Sequence, residues 1–291
     1  MLDDVTLIIK TFERPQALSR LLNSIDDVNF DGPVLLADDS ETPYRERILD
    51  TYGHLVTEYL TLPFNVGLSA GRNALLDRVD TPYFVLNDDD FVYGPNTDLA
   101  WMREQLATTD LELLGGIVRE PELVQWSQLR QPTLMDTARA AYHALRTLLR
   151  NAWERQYSVN RFHGDIEVTD DTVALVHNHA PDASPFRRCD YTLNFFMADT
   201  DAVRTKVGGW AEELKLQEHW EFFFRAKRGG LRVAHSDEVG VLHISNRTVH
   251  YNNYREHQDE YREQGLKLHG LRELRIGPRL RVTVDPEEVA P

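Results

Sequence analysis

The chain contains 291 residues, 42% of them hydrophobic and 27% charged, which is ordinary for a globular protein and too apolar for a disordered one. Its 47 acidic and 32 basic residues give a net charge of -15, which argues against nucleic acid as a partner because phosphate binding depends on Lys and Arg. The single cysteine, Cys189, excludes an internal disulfide and a cysteine-based zinc site. Since no apolar run approaches the roughly 20 residues that cross a bilayer, and no basic signal region opens the chain, we expect a cytoplasmic protein without a membrane span.

Strand and helix signals alternate over the first third of the chain. Apolar runs rich in Val, Ile and Leu predict buried strands over residues 5–9, 34–37, 56–60 and 83–86. Between them, helices are expected to begin at Pro15, Pro43 and Ser69, the last acting as an N-cap. This alternation predicts an α/β fold, with a mostly parallel sheet flanked by helices and ligands at the carboxyl ends of the strands.

The rest of the chain is less regular. Residues from 121 to about 171 have weak strand signals and a predicted amphipathic helix over 133–157, so we interpret residues 119–190 as an insertion that lies over the site. Beyond Thr248 the polar sequence predicts a surface helix. The elements predicted between these two regions are a strand over 191–198, a helix over 215–228 that ends at Gly229-Gly230, and a strand over 231–234.

The sharpest chemical signal is the acidic triplet Asp88, Asp89 and Asp90, which directly follows the strand predicted over 83–86. Three adjacent carboxylates repel one another unless a cation lies among them, and oxygen ligands suit Mg²⁺ or Mn²⁺. A solvated acidic turn is the alternative, but the position after an apolar strand favours a metal. Of the eleven histidines, His243 is the best candidate for a further ligand, although a structural role for it is also open.

Two further segments have the features of a nucleotide site. Asp38 and Asp39 follow the second predicted strand, where a carboxylate can accept hydrogen bonds from a base or a ribose; a helix N-cap or an Asx-turn is the alternative. Gly67 and Gly71 permit close approach of the backbone, and Arg72 supplies a cation suited to a diphosphate. Their spacing matches neither a phosphate-binding loop nor a dinucleotide fingerprint, so a turn that leads into a helix is also open.

The helix predicted over 215–228 carries the candidates for a general base. Glu218 and Glu221 are three residues apart and are expected to share a face, with a run of phenylalanines anchoring the helix. A carboxylate held against apolar surface can act as a base because desolvation raises its pKa. The alternative is an amphipathic helix with solvated charges.

Taken in order, six segments resemble the GT-A glycosyltransferases. They look most like family 2 and the β-1,4-N-acetylgalactosaminyltransferases of the ganglioside type. The resemblance covers roughly residues 4–118 and 190–245. The matching segments are residues 11–15, 37–40, 65–73, 83–91, 193–198 and 218–223.

The resemblance implies a domain organisation and a set of ligands. A single GT-A domain is expected over 1–250, with the nucleotide-binding half over 1–118, the insertion near the acceptor site, and the acceptor and catalytic half over 191–250. Residues 251–291 would form a helical C-terminal tail. The implied ligands are a UDP-sugar donor and Mn²⁺ or Mg²⁺.

The resemblance also implies roles for individual residues. The residues that would bind the nucleotide are Thr11, Phe12, Arg14, Asp38, Asp39, Gly67, Arg72, Asp88 and Asp89. Asp88 and Asp90 are the outer carboxylates of the family's Asp-x-Asp motif, and they would hold the metal together with His243. Many relatives have a Glu-Asp pair where this chain has Glu218-His219; the base is therefore Glu218, His219 or Glu221, and we favour Glu218.

The expected reaction is the transfer of an N-acetylhexosamine or a hexose from a UDP-sugar to an acceptor hydroxyl, with inversion in a single displacement. The acceptor would be a carbohydrate, a lipid-linked sugar or a natural product. One alternative is a sugar nucleotidyltransferase, although such enzymes usually have a glycine-rich loop after the first strand, where this chain has residues 11–15. The other is a catalytically silent protein that binds nucleotide-sugars.

Overall fold

The structure is a computed structural model that describes residues 2–121, 157–160, 162–178, 183–245, 258–278 and 280–285. The helix predicted over 133–157 lies outside the described residues, except that Tyr157 begins a strand. Among the residues that the structure describes, no helix is long and apolar enough to cross a membrane.

In chain order the elements are β1 (Val5–Thr11), α1 (Pro15–Asp27), β2 (Val34–Asp38), α2 (Arg45–Tyr52), β3 (Glu58–Thr61), α3 (Leu68–Leu76), β4 (Tyr83–Asp88), β5 (Phe91–Val92), α4 (Leu99–Thr108), β6 (Leu113–Pro121), β7 (Tyr157–Asn160), β8 (Gly164–Val168), β9 (Thr172–His177), β10 (Arg187–Cys189), β11 (Phe196–Asp199), α5 (Thr200–Lys206), α6 (Glu218–Arg228), β12 (Val233–His243), α7 (Gln258–Leu268), β13 (Glu273–Ile276) and β14 (Leu280–Thr283).

The main sheet follows the order β10-β12-β6-β11-β4-β1-β2-β3, with β5 paired to β12 and β7 to β6. Strands β1 to β4 are mutually parallel where they pair, and β1 lies between β2 and β4. Strand β1 is buried along its whole length because helices cover both faces of the sheet, which explains its unbroken apolar and β-branched sequence. The predicted α/β fold with a mostly parallel sheet is confirmed.

The helices of the first half begin close to the predicted positions. Pro15 is the first residue of α1, where its fixed φ suits the first helical turn, and α2 begins two residues after Pro43. The prediction that Ser69 caps α3 is wrong. Gly67 occupies the N-cap position, and the Ser69 hydroxyl donates a hydrogen bond of 2.6 Å to the carbonyl of Leu214 instead.

The second half differs from the prediction in two places that matter for the site. The strand expected over 191–198 is formed only by β11, because Tyr191 bridges to Gly164 and the Thr192 hydroxyl bonds to His235 at 2.9 Å. The helix expected from residue 215 begins at residue 218, because the Lys215 carbonyl accepts from the N–H of Leu68 at 3.0 Å. Both segments are therefore loops that face the cleft described below.

The C-terminal region is helical only in its first part. Helix α7 packs against α6 so closely that a Cβ on Gly265 would lie 2.5 Å from the Trp220 side chain. After it, β13 pairs with β14 and, in parallel, with β9, so that the insertion and the tail share a second sheet in the order β14-β13-β9-β8. This sheet was not predicted, and the boundaries proposed within and after the domain stay a prediction.

Candidate active site

A cleft with a volume of about 250 Å³ opens at the carboxyl ends of β1 and β4. Parallel strands bring their carboxyl ends to one edge of a sheet, which is where ligands bind in open α/β folds. The loops before β11 and α6, the end of β12 and the start of α7 complete its walls. The lining residues are Lys10, Arg14, Leu68, Arg72, Asp88, Asp90, Asn194, Leu216, Gln217, Glu218, His219, His243, Ser245 and Gln258.

Arg14, the residue directly before α1, holds the acidic triplet in place. The Arg14 guanidinium donates to Asp90 at 2.6 Å and also to Asp89. The carboxylate of Asp89 accepts a further bond of 2.7 Å from the Thr11 hydroxyl and is fully buried. Burial raises the pKa of Asp89, while Arg14 and Thr11 oppose that rise. Asp89 and Thr11 therefore fix the turn against β1 and do not line the cleft, and their nucleotide contacts stay a prediction.

Asp90 and His243 meet as the sequence predicted. Strand β12 pairs with β5 so that His243 lies opposite Phe91, the residue after Asp90. The His243 Nε2 atom is 3.1 Å from Asp90 Oδ2, and Nδ1 is 3.2 Å from Glu120 Oε1. Burial lowers the pKa of His243, but the hydrogen bonds to Asp90 and Glu120 and the charges of Asp90 and Asp88 outweigh it and raise that pKa to about 9.

The donor set in this corner fits a divalent cation that arrives with a diphosphate. Asp90 and His243 supply an oxygen and a nitrogen, and the carboxylate of Asp88 lines the same cleft. Within the described part of the chain, no group of three or more acidic, histidine or cysteine side chains is arranged to hold a metal. Mg²⁺ in nucleotide sites is bound by one or two carboxylates together with substrate phosphates and water, so such a group is not required.

Arg72 joins the acidic triplet to helix α6. It is almost fully buried, donates to Asp88 at 2.9 Å and to Glu218, and its guanidinium carbon lies 5.7 Å from the ring centre of Trp210. Burial disfavours the charge of Arg72, but Glu218 and Asp88 outweigh this and raise its pKa. Arg72 lines the cleft, but two carboxylates already share its charge.

Asp38 does not reach the cleft. Its carboxylate is fully buried and accepts from the backbone N–H groups of Ser40 at 2.9 Å and Tyr44 at 3.0 Å, and from the hydroxyl of Tyr59. Burial and the bond to Asp38 raise the pKa of the Tyr59 hydroxyl above its ordinary value. The bond to Ser40 is that of an Asx-turn, which is the structural alternative for this residue, and a contact of Asp38 with a nucleotide stays a prediction.

Asp39, Gly67 and Phe12 support the wall of the cleft from behind. The Asp39 carboxylate is fully buried and accepts from the Lys10 ammonium and, at 3.0 Å, from the N–H of Gly67. Gly67 has a φ of 98°, and a Cβ there would lie 2.6 Å from the Cα atom of Lys215. The Phe12 ring lies under the Lys10 ammonium at 5.0 Å. None of these three predicted nucleotide ligands lines the cleft.

The two glutamates of α6 have different neighbours. Glu218 lines the cleft beside His219, whereas the carboxylate of Glu221 accepts from Arg225 at 2.5 and 2.9 Å and contacts His269 Nε2 at 2.8 Å. The two carboxylates lie three residues apart on one helix, as predicted, but they have different partners. Glu221 does not line the cleft.

His219 lies where the cleft meets a second cavity of about 290 Å³. Its Nδ1 atom is 2.6 Å from Asn194 Oδ1, which can only accept; this assigns the ring proton to Nδ1 and the lone pair to Nε2. Burial lowers the pKa of His219 to about 4, so its imidazole is neutral near pH 7. The second cavity is also lined by Asn160, Phe162 and Leu193.

Residues 6–154, just over half of the chain, match the model of the glycosyl transferase family 2. The chain belongs to this family. Membership confirms the resemblance seen in the sequence motifs and favours glycosyl transfer over nucleotidyl transfer.

Two beta-1,4 N-acetylgalactosaminyltransferases have sequences similar to this chain. The human beta-1,4 N-acetylgalactosaminyltransferase 1 is 33% identical over 241 residues, which are 83% of this chain and 39% of that protein. The mouse beta-1,4 N-acetylgalactosaminyltransferase 2 is 40% identical over 115 residues, which are 40% of this chain and 21% of that protein. The chain therefore spans about two fifths of the length of the human relative.

Solved structures of glycosyltransferases share the fold. S. aureus TarS 1–349 in complex with UDP-GlcNAc has a TM-score of 0.57 and 15% identity, over 91% of this chain and 66% of that one. The mannosyltransferase PcManGT from Pyrobaculum calidifontis, in complex with GDP-Man and Mn²⁺, has a TM-score of 0.53 and 15% identity, over 92% and 63%. They confirm the predicted GT-A fold.

Several residues of this family 2 site were missed by sequence reasoning. Lys10 is the charged residue of an otherwise uncharged, buried strand, and that break in the pattern could have identified it. Asn194, Gln217 and Gln258 had no such signal, since they lie in loops or at a helix start.

Proposed function

We propose that the chain is a metal-dependent, inverting glycosyltransferase that moves a sugar from a UDP-sugar to an acceptor hydroxyl. The observation that carries this proposal is the meeting of Arg14, Asp90 and His243 in a cleft at the carboxyl ends of β1 and β4. The names of the relatives and the UDP-GlcNAc complex of TarS support a UDP-N-acetylhexosamine donor. The Mn²⁺ complex of PcManGT supports a divalent metal.

In this proposal Asp90 and His243 would hold the metal, with Asp88 beside them. When bound, it would neutralise the negative charge that develops on the departing diphosphate. Arg14 donates to both Asp90 and Asp89, so its positive charge balances the acidic turn next to the same position. Arg72 holds Asp88 and Glu218 at their places in the wall.

We assign the general base to His219 and not to Glu218. His219 lines both cavities, whereas Glu218 lines only the first and accepts from Arg72. Asn194 fixes the imidazole through Nδ1–H and leaves the lone pair on Nε2. Neighbouring residues cover Nε2, so a small movement must expose this atom before it can take the proton of the acceptor hydroxyl. As the acceptor oxygen bonds to the anomeric carbon, the bond from that carbon to the diphosphate breaks on the opposite side, and the configuration inverts.

The second cavity is the proposed acceptor side. It adjoins the cleft through Asp88, Asn194, His219 and His243, and Phe162 provides an aromatic ring 5.9 Å from the His219 ring. Aromatic side chains offer a large apolar surface of the kind that packs on a sugar ring. The acceptor is proposed to be a carbohydrate, a lipid-linked sugar or a natural product.

The test is donor cleavage without acceptor. The protein is incubated with UDP-GalNAc, UDP-GlcNAc, UDP-Gal or UDP-Glc in Mn²⁺, Mg²⁺ or EDTA, and released UDP is measured. We expect slow UDP release from at least one donor in the presence of metal and none in EDTA; the anomeric configuration of a transfer product, read by NMR, should be inverted. Binding without release would instead identify a silent nucleotide-sugar-binding protein. The absence of both binding and release would refute the proposal.

A further inference from the structure

One corner of the cleft is lined by uncharged side chains. The N–H of Leu68, at the start of α3, donates to the Lys215 carbonyl at 3.0 Å, which brings the loop before α6 against α3. Leu68, Leu216, Gln217 and Gln258 all line the cleft and are partly exposed to it. This corner therefore combines two amides with two aliphatic side chains, in contrast to the ionic groups around the acidic triplet.

The two glutamines form a hydrogen-bonded amide pair. Gln217 Nε2 donates to Gln258 Oε1 at 3.0 Å. Since each amide has one carbonyl and two N–H groups, the pair leaves the carbonyl of Gln217 as an acceptor and the N–H groups of Gln258 as donors. Among the residues that the structure describes, the bond between the two glutamines is the one side-chain hydrogen bond that either amide forms. The pair can thus accept one bond and donate another to the same ligand.

The backbone of Gln217 supports a role for its side chain. Gln217 precedes α6 with φ 61° and ψ 22°, a left-handed conformation that residues other than glycine rarely adopt. A glycine would hold this conformation with less strain. Backbone strain of this kind occurs at sites where the placement of a side chain matters, and here it places the amide at the wall of the cleft.

We propose that Gln217 and Gln258 recognise the acetamido group of the donor sugar; this rests on the proposed function. The acetamido N–H would donate to Gln217 Oε1, its carbonyl would accept from Gln258 Nε2, and its methyl group would pack against Leu68 and Leu216. A donor with a hydroxyl at the same carbon is too short to make both bonds and has no methyl group. It would leave one amide group unpaired in the cleft, which lowers affinity.

The inference places part of the donor specificity in the C-terminal region. Gln258 is the first residue of α7, which α6 holds through Trp220 and through the bonds of Glu221 with His269. The tail is then a part of the donor site and not only a support for the fold.

The experiment compares dissociation constants in Mn²⁺ for UDP, UDP-GalNAc, UDP-GlcNAc, UDP-Gal and UDP-Glc. The wild-type protein should bind at least one N-acetylated donor about ten-fold more tightly than the matching hexose donor. Gln258→Glu keeps the length of the side chain and the bond from Gln217 but replaces the donor by an acceptor. Gln258→Leu removes both without adding a charge. For each variant, the dissociation constant of each donor is first divided by that of UDP. The preference for the N-acetylated donor over the hexose donor should then fall to about two-fold or less.

The matched control is Gln264→Glu, because Gln264 is exposed on the same helix and the charge change is the same. It should keep the full preference. This inference is overturned if the wild-type protein binds N-acetylated and hexose donors equally, or if the Gln258 variants keep the preference. In either case, binding of UDP would leave the proposed function standing. Absence of any UDP binding would remove the proposed function and this inference with it.

Discussion

Glu218 and Glu221 lie one turn apart on α6, and their surroundings are opposite. Glu218 lines the cleft and accepts from Arg72, which also binds Asp88 of the acidic triplet. Glu221 is fully buried on the other side, where Arg225 and His269 hold it. Because the helix is enclosed on both sides, residue type alone does not determine the role of either glutamate. That role depends on the partner residues that α3 and the end of α7 bring to each carboxylate.

This comparison assigns chemistry to the cleft side of α6 and stability to the side that faces α7. Replacing His219 on the first side should reduce turnover and leave folding nearly unchanged, whereas replacing Glu218 should also destabilise the fold because it breaks the buried pair with Arg72. Substitutions on the second side should reduce stability and leave turnover per folded molecule unchanged.

Glu221→Gln should have the largest effect on folding. The change removes one charge from a buried ion pair with Arg225, and breaking such a pair destabilises by about 3 kcal/mol. Urea unfolding at pH 7 measures it. Glu58→Gln is the matched control, since Glu58 pairs with Arg78 at 3.0 Å on the surface and should contribute less than about 1 kcal/mol. Loss of turnover at unchanged stability would place Glu221 in the chemistry and contradict the comparison.

The stability difference between wild type and Glu221→Gln should depend on pH. Burial raises the pKa of Glu221, but the hydrogen bonds and charges of His269 and Arg225 outweigh it and hold that pKa below the ordinary 4.5. A depressed carboxyl pKa stabilises the folded state fully above the unfolded pKa, and the stabilisation is lost as pH falls through the folded pKa. Unfolding curves should show a constant difference from pH 7 down to about 5 and a shrinking one below 4.5. A difference that grows with acid would contradict this sign.

On the cleft side, His219→Gln should reduce turnover about 100-fold, because general bases contribute at least this much. UDP binding should change little, since the proposed role concerns the acceptor proton. His54→Gln is the control, because His54 is an exposed histidine that pairs with Asp26 and does not line the cleft. Steady-state turnover with each variant decides the matter. Retained turnover in His219→Gln, with loss in Glu218→Gln, would return the base to Glu218.

Gly67→Ala should have the smallest effect of the set, destabilising by about 2 kcal/mol. Its φ of 98° disfavours alanine, and the new Cβ would lie 2.6 Å from the Cα atom of Lys215, so the loop before α6 must shift. Gly94→Ala is the matched control, because nothing lies within 4 Å of a Cβ there. Urea unfolding compares the two. Equal stability of both variants would show that the approach of this loop to α3 is not constrained.

The first half of the fold could be predicted because its signals are local. An unbroken apolar run identifies β1, and Pro15 marks the start of α1. The second sheet could not be predicted, since β13 pairs with β9 from about a hundred residues earlier and neither strand has a distinctive pattern. The tail was therefore expected to be helical throughout.

The site was predictable where a strand end positions the residue. Asp90 and His243 follow or end strands of one sheet and do meet. The bonding partners of the carboxylates were not predictable. Asp38 forms an Asx-turn, Asp39 pairs with Lys10, and Glu221 joins two helical segments, although all three are acidic residues. These roles depend on contacts between distant segments, which a pattern along the chain does not encode.

Thermal unfolding with UDP tests the metal-dependent cleft most directly. Ligand that binds only the native state raises the melting temperature by mass action. UDP should raise it in Mn²⁺ or Mg²⁺ but not in EDTA, and Asp90→Asn should abolish the shift while Asp80→Asn, at an exposed position before β4, keeps it. A shift that is independent of metal, or that persists in Asp90→Asn, would contradict the assignment of Asp90 and His243 to a metal-bound diphosphate.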